Sequence, residues 1–166
     1  MAIVIDSLEF ARRHEMLSGH LQLSTLPRLG EVLFDASGSL IYTVSGETLG
    51  KKEAFLTLKL DAPLRLTCQR CLGSLEFALS VCSRVMLVDQ GMPWPDDGQV
   101  GGLEDEACDA IEASRELDLA PLFEDEILLA LPIAPRHEHC EPPEAEATLK
   151  ENKASPFTKL ARLKRN

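Results

Sequence analysis

No stretch of this sequence holds enough consecutive apolar residues to cross a bilayer, and Met1 to Phe10 lacks the basic segment that opens a secretory signal. The chain therefore reads as cytoplasmic, with no membrane partner. Its five cysteines form no paired, regularly spaced framework. A reducing compartment suits them better than a disulfide scaffold. Also missing are the phosphate-cradling Gly-x-x-x-x-Gly-Lys-Ser/Thr loop, the Gly-x-Ser-x-Gly elbow and the His-Glu-x-x-His helix. Nothing points to an enzyme or a small-molecule substrate, and no residue is assigned as catalytic. His14 and His20 stand without a carboxylate or cysteine at useful spacing, and read as surface residues.

Net positive charge is absent too. The formal charge of −10 argues against direct nucleic-acid contact, because phosphate neutralisation by Lys and Arg supplies most of that affinity. Its distribution tempers the point. Residues 1 to 88 balance nine acidic against nine basic side chains, and the acid concentrates from Asp89 to Glu146, relieved only by Arg115 and Arg136. The end reverses sign: Lys150, Lys153, Lys159, Arg162, Lys164 and Arg165 face only Glu151.

What is present suits one domain with appendages at 166 residues. Asp6-Ser7-Leu8-Glu9 resembles a capping box and predicts a short helix to about Glu15. From Glu31 to Val88 apolar residues alternate: Leu40, Tyr42, Val44; Leu56, Leu58, Leu60; Leu64, Leu66, Cys68; Leu75, Phe77, Leu79, Val81. That predicts four or five antiparallel strands, with turns at Gly38, Ser45-Gly46, Gly50-Lys51-Lys52 and Asp61-Ala62-Pro63. Residues 89–106, rich in Gly, Pro and acid, predict a mobile loop, in which Trp94 receives no role.

Asp118 is placed to cap a helix from about Leu119 to Leu131, stopped by Pro132. Glu124-Asp125-Glu126 within it reads as a solvated face, since successive carboxylates point in different directions around a helix. Residues 141–154 read as an acidic, Pro-containing linker. Ser155 and Pro156 then open a short amphipathic basic helix, 155–166, with Phe157, Leu160, Ala161 and Lys164 on one stripe. The fold class is thus α+β: one domain over 1–140 with an antiparallel, meander-like sheet and flanking helices, followed by linker and tail.

Cys68-Gln69-Arg70-Cys71 sits at a junction between strand-like segments, where two thiolates can face one ion across a tight turn. Arg136-His137-Glu138-His139-Cys140 holds the other potential ligands. Cys68, Cys71, His137 and Cys140 could complete a Cys₃His tetrahedron around a structural zinc, with His139 ranked below His137. The reading the sequence favours is plainer, two partly buried free thiols without a cofactor. A redox pair ranks last, because that chemistry needs a helix N-terminus after the first cysteine and nothing helical follows.

Three blocks together resemble the YceD family of large ribosomal RNA subunit accumulation proteins. They are Leu66-Thr67-Cys68-Gln69-Arg70-Cys71-Leu72, Leu117-Asp118-Leu119 running into Glu124-Asp125-Glu126-Ile127-Leu128-Leu129-Ala130-Leu131-Pro132, and Ser155-Pro156-Phe157 with Leu160 and Leu163-Lys164. The resemblance implies a bacterial, non-enzymatic factor supporting 23S ribosomal RNA accumulation or processing and large-subunit biogenesis. Its partner would be pre-ribosomal large-subunit RNA or an assembly or ribosomal protein, met by the tail through Phe157, Lys159, Leu160, Arg162, Lys164 and Arg165. The alternative is a zinc-dependent interaction module that binds a basic ribosomal or assembly protein through its acidic face. A hydrolase built on Glu124 to Glu126 has no accompanying nucleophile or ligand pattern.

Overall fold

Period-two alternation builds the sheet. The structure, a computed structural model, describes residues 2–50, 53–94 and 108–141. Its central strands are β3 (Ser39–Leu49), β4 (Glu53–Thr67) and β5 (Ser74–Val88). Leu40, Val44, Leu56, Leu58 and Leu60 are each fully buried on one face, and from Leu56 onward in β4 buried residues alternate with more exposed ones. With β2 (Met16–Gln22) and β6 (Asp109–Glu112) they form a five-stranded sheet in the order β2-β3-β4-β5-β6. The first four run as an antiparallel meander; β6 joins β5 in parallel, making the sheet mixed.

Short helices cover the buried face. In α1 (Ser7–Arg12), Asp6 accepts a hydrogen bond from the Glu9 amide at 3.0 Å, the capping predicted from sequence. In α3 (Leu119–Ala130), Asp118 accepts from the Ala120 amide at 3.1 Å. The same carboxylate takes the Ile3 amide at 3.3 Å, beside a two-stranded ribbon of β1 (Val4–Ile5) and β7 (Leu117–Asp118). Leu119, Phe123 and Ile127 of α3 are fully buried, and the Phe123 ring packs 5.0 Å from that of Tyr42. Each such side chain contributes about 1.5–3 kcal/mol by leaving water. A 3-10 turn (Leu23–Thr25) and α2 (Pro27–Gly30) add Leu23, Leu26 and Leu29 to the core.

The α+β class stands, with several corrections inside it. Asp61-Ala62-Pro63 is not a turn: β4 runs through it, with Pro63 opposite Ala78. Pro63 is tolerated because β3 has already ended as a neighbour, its last pair being Ile41 with Asp61. Ser45-Gly46 is likewise inside β3, and Gly46 is required for packing: a Cβ there would lie 2.7 Å from the Ala11 Cα and the Phe10 carbonyl of α1. β2 and β6 fall outside the predicted Glu31 to Val88 span. In β2 the apolar alternation is broken by Gly19, which sits under the Tyr42 hydroxyl.

No described helix is long and apolar enough to cross a membrane. Residues 89–94 of the acidic loop form a turn leading to an exposed Trp94, and the rest of that loop lies outside the described residues. So do nearly all of the predicted linker and the whole of the tail helix.

Candidate metal centre

β4 hands over to β5 through a tight loop at Cys68–Gly73. The Cys68 amide donates to the Gly73 carbonyl and the Leu72 amide to the Cys68 carbonyl, both at 2.9 Å. Leu72 adopts a left-handed φ of 59°, a conformation that costs a bulky residue energy and persists only when its surroundings enforce it. The turn aims the sulfurs of fully buried Cys68 and half-buried Cys71 to one side.

The second half of the site comes from the chain after α3. Pro132 ends the helix, and the segment to Cys140 folds back over the loop. The Gln69 amide donates to the Pro135 carbonyl at 2.8 Å. Arg70 clamps the returning segment: its guanidinium donates to the His137 and Glu138 carbonyls, each at 3.4 Å, and its Nε to the Cys140 Sγ at 3.0 Å. His137 Nε2 lies 3.0 Å from the Ser74 carbonyl, which assigns the proton to that nitrogen and leaves Nδ1 with its lone pair toward the thiols.

The ligand atoms of Cys68, Cys71, His137 and Cys140 all lie within 4.8 Å of one another. Cys68 Sγ is 3.8 Å from Cys140 Sγ, and Cys71 Sγ is 3.4 Å from His137 Nδ1. A tetrahedral site with the usual metal–sulfur and metal–nitrogen bond lengths has sulfur–sulfur edges of about 3.8 Å and sulfur–nitrogen edges of about 3.6 Å. The Cys68–Cys140 and Cys71–His137 edges match these lengths, and the four residues could hold a metal ion.

The four groups shift one another, two thiols downward and Cys71 and His137 upward. Backbone amide donors, first that of Cys71 and then those of Arg70 and His137, hold the Cys68 thiol down at about 5 against the opposing effect of burial. Desolvation pushes Cys140 up, but the Arg70 guanidinium, His137 and Cys71 outweigh it and leave the thiol lowered. At Cys71 the Gly73 amide pulls downward, yet desolvation and the Cys68 and Cys140 sulfurs leave it raised. His137 is raised by Cys140 and then Cys68. Crowded sulfurs with a low-lying thiolate and a cationic clamp make a place where a divalent cation would relieve mutual repulsion.

Of the three readings of Cys68 and Cys71, metal ligation is the one that needs His137 and Cys140 alongside, and they are alongside. The strand β5 follows the loop, so the helix N-terminus of redox sites is missing. His139 is exposed and outside the cluster. Cys82 is exposed on β5, and the Cys108 thiol donates to the Arg84 carbonyl at 3.0 Å.

The acidic triplet on α3 requires a correction. Glu124 is 4% exposed, accepting the Leu29 amide at 2.8 Å and the Arg28 Nε at 3.1 Å, while Arg28 also pairs with Asp125 at 2.7 Å. It joins α2 to α3. The Arg70 clamp has a single signal in the sequence, the position of that residue between the two cysteines. The predicted tail contacts Phe157, Lys159, Leu160, Arg162, Lys164 and Arg165 lie outside the described residues.

Comparison with known proteins meets this geometry. Residues 56–164 match the family model of the large ribosomal RNA subunit accumulation protein YceD. The Haemophilus influenzae protein of that name is 31% identical over 181 aligned positions, covering 99% of this chain and 96% of that protein. No solved structure matches the chain significantly. With both cysteine clusters inside the matched region, the chain belongs to the YceD family of large ribosomal RNA subunit accumulation proteins.

Proposed function

We propose that the protein is a non-enzymatic factor that supports 23S ribosomal RNA accumulation or processing, and thereby large-subunit biogenesis. The observation that carries this reading is the family match, which spans the metal group and most of the tail in one alignment. The tail, through Phe157, Lys159, Leu160, Arg162, Lys164 and Arg165, docks on pre-ribosomal RNA or on an assembly protein. The acidic body is kept off the RNA by its own charge. Cosedimentation with large-subunit precursors tests the division of labour. A chain ending at Ala154 should lose cosedimentation, and retention at unchanged salt sensitivity would refute it.

Zinc is the ion proposed for Cys68, Cys71, His137 and Cys140, since three sulfurs and an imidazole gathered within 4.8 Å suit it. Its role is structural: with four protein ligands no coordination position is left for a substrate. The gathering of these four ligands also favours the second reading, a zinc-dependent interaction module whose acidic face binds a basic ribosomal or assembly protein. Metal content and partner capture by Cys68→Ser separate the two. A metal-free native protein, or a variant that captures the basic partner undiminished, removes the second reading.

A further inference from the structure

A groove lies beside the candidate metal centre, and two of its apolar lining residues are among the most exposed of the described surface. It has a volume of about 730 Å³ and is lined by Leu128, Leu129, Pro132 and Ile133 together with Val32 and Leu66. Leu129 is 78% exposed and Ile133 completely so, at positions where the end of a helix could have been polar without cost. No lining residue is basic. Glu31 lies on the rim, and Glu126 is one turn before Leu129 on the same helical face; neither has an ion-pair partner among the described residues.

We propose that this groove is the docking site of the chain's own C-terminal segment, residues 155–166. Three arguments select that occupant over a second copy or a foreign protein. The segment carries Phe157, Leu160, Ala161 and Leu163 for the apolar walls, and Lys159, Arg162, Lys164 and Arg165, with no acidic residue, for the acidic rim. Geometry is permissive: the described chain ends at Glu141, next to Cys140, in the same lobe that supplies Pro132, Ile133 and Pro135 to the groove wall. The thirteen residues 142–154 can extend about 45 Å, so the tether reaches without strain. Tethering also supplies an effective concentration of order millimolar, which a free partner seldom matches. A helix this short is marginal in water and gains most from an apolar surface to lie on.

The inference concerns the free protein and stands whether or not the tail also meets RNA. Docked, the tail's apolar stripe is covered, so any partner that takes it must first displace it from the groove.

The test uses the full chain with labelled Ile, Leu and Val methyls and protonated Phe rings. At low salt, cross-relaxation should appear between the Phe157 ring and the Leu129 and Ile133 methyls, and weaken as salt screens the rim charges. A tail docked nine-tenths of the time is cut by trypsin after Lys159 or Arg162 about tenfold more slowly than an undocked one, because cleavage tracks the open population. Leu129→Asp with Ile133→Asp should abolish the methyl contacts and restore the tenfold. Phe157→Ala should do the same without touching the folded body, keeping the test valid if the groove variant misfolds. Absence of the contacts with equal cleavage of all variants overturns the proposal. Contacts seen only between differently labelled chains in a mixed sample overturn it in favour of a second copy.

Discussion

Removing the ion proposed for Cys68, Cys71, His137 and Cys140 is expected to release residues 132–141 while the sheet stays folded. Among the described residues Leu131 is the last one packed on the core, and none of 132–141 belongs to that cluster. What holds the lobe, apart from an ion, is polar: Gln69 to Pro135, Arg70 to His137, Glu138 and Cys140, and His137 to Ser74. Such bonds contribute about 0.5–1.5 kcal/mol each, less where water competes. An ion bound at a thousand times its dissociation constant adds about 4.1 kcal/mol against opening, a factor of about a thousand in the open population. Amide hydrogen exchange reads that factor directly. With chelator the Gln69 amide, whose acceptor is the Pro135 carbonyl, should exchange up to about a thousandfold faster. Amides of β4 between Leu56 and Leu60, flanked by β3 and β5, should be unchanged. Cys68→Ser should reproduce the chelated pattern, with less than one metal per chain by elemental analysis. Equal acceleration in lobe and sheet would refute the reasoning, as would exchange at Gln69 that ignores both chelator and mutation.

Glu124→Ala removes the acceptor of the buried Leu29 amide and should cost about 1–3 kcal/mol in urea unfolding, with Glu124→Gln costing less because an acceptor remains. Gly46→Ala forces a methyl onto the α1 backbone and should cost about 1–3 kcal/mol, read as a fall in Tm of several degrees; an unchanged Tm would mean α1 is free to move away. Asp35 is held below its usual 3.8 by the Ser37 hydroxyl first, then the Ser37 amide and Arg65, so its contribution is full above pH 3.8 and lost as pH falls through the lowered value. Thermal melts of wild type and Asp35→Asn should therefore differ at neutral pH and converge in acid; a constant gap would contradict the linkage.

The residues that set local structure were readable one by one. Asp6 and Asp118 announced helix starts because a side-chain acceptor just before an apolar stripe has few other uses, and both caps are made. Pro132 announced the end of α3, since a ring there blocks the next turn. Pro63 and Gly46 misled for a related reason: each is locally a turn former, yet one sits where β4 is paired with β5 alone and the other makes room for α1. Gly19 hid β2 by interrupting the alternation under Tyr42. Glu124 looked solvated because nothing within its own helix says that α2 will present an amide to it from 95 residues away.

By itself, then, the sequence determined the class of fold, the helix caps, the main alternating strands, the charge reversal at the tail and the family, because each depends on spacings of a few residues or on strings of side chains. Only the tertiary structure brings Cys68 and Cys71 together with His137 and Cys140. Cys71 and His137 are 66 residues apart in the chain and 3.4 Å apart in space. That convergence depends on the register of β4 against β5, the length of α3 and the grip of Arg70. No local pattern encodes where those three meet.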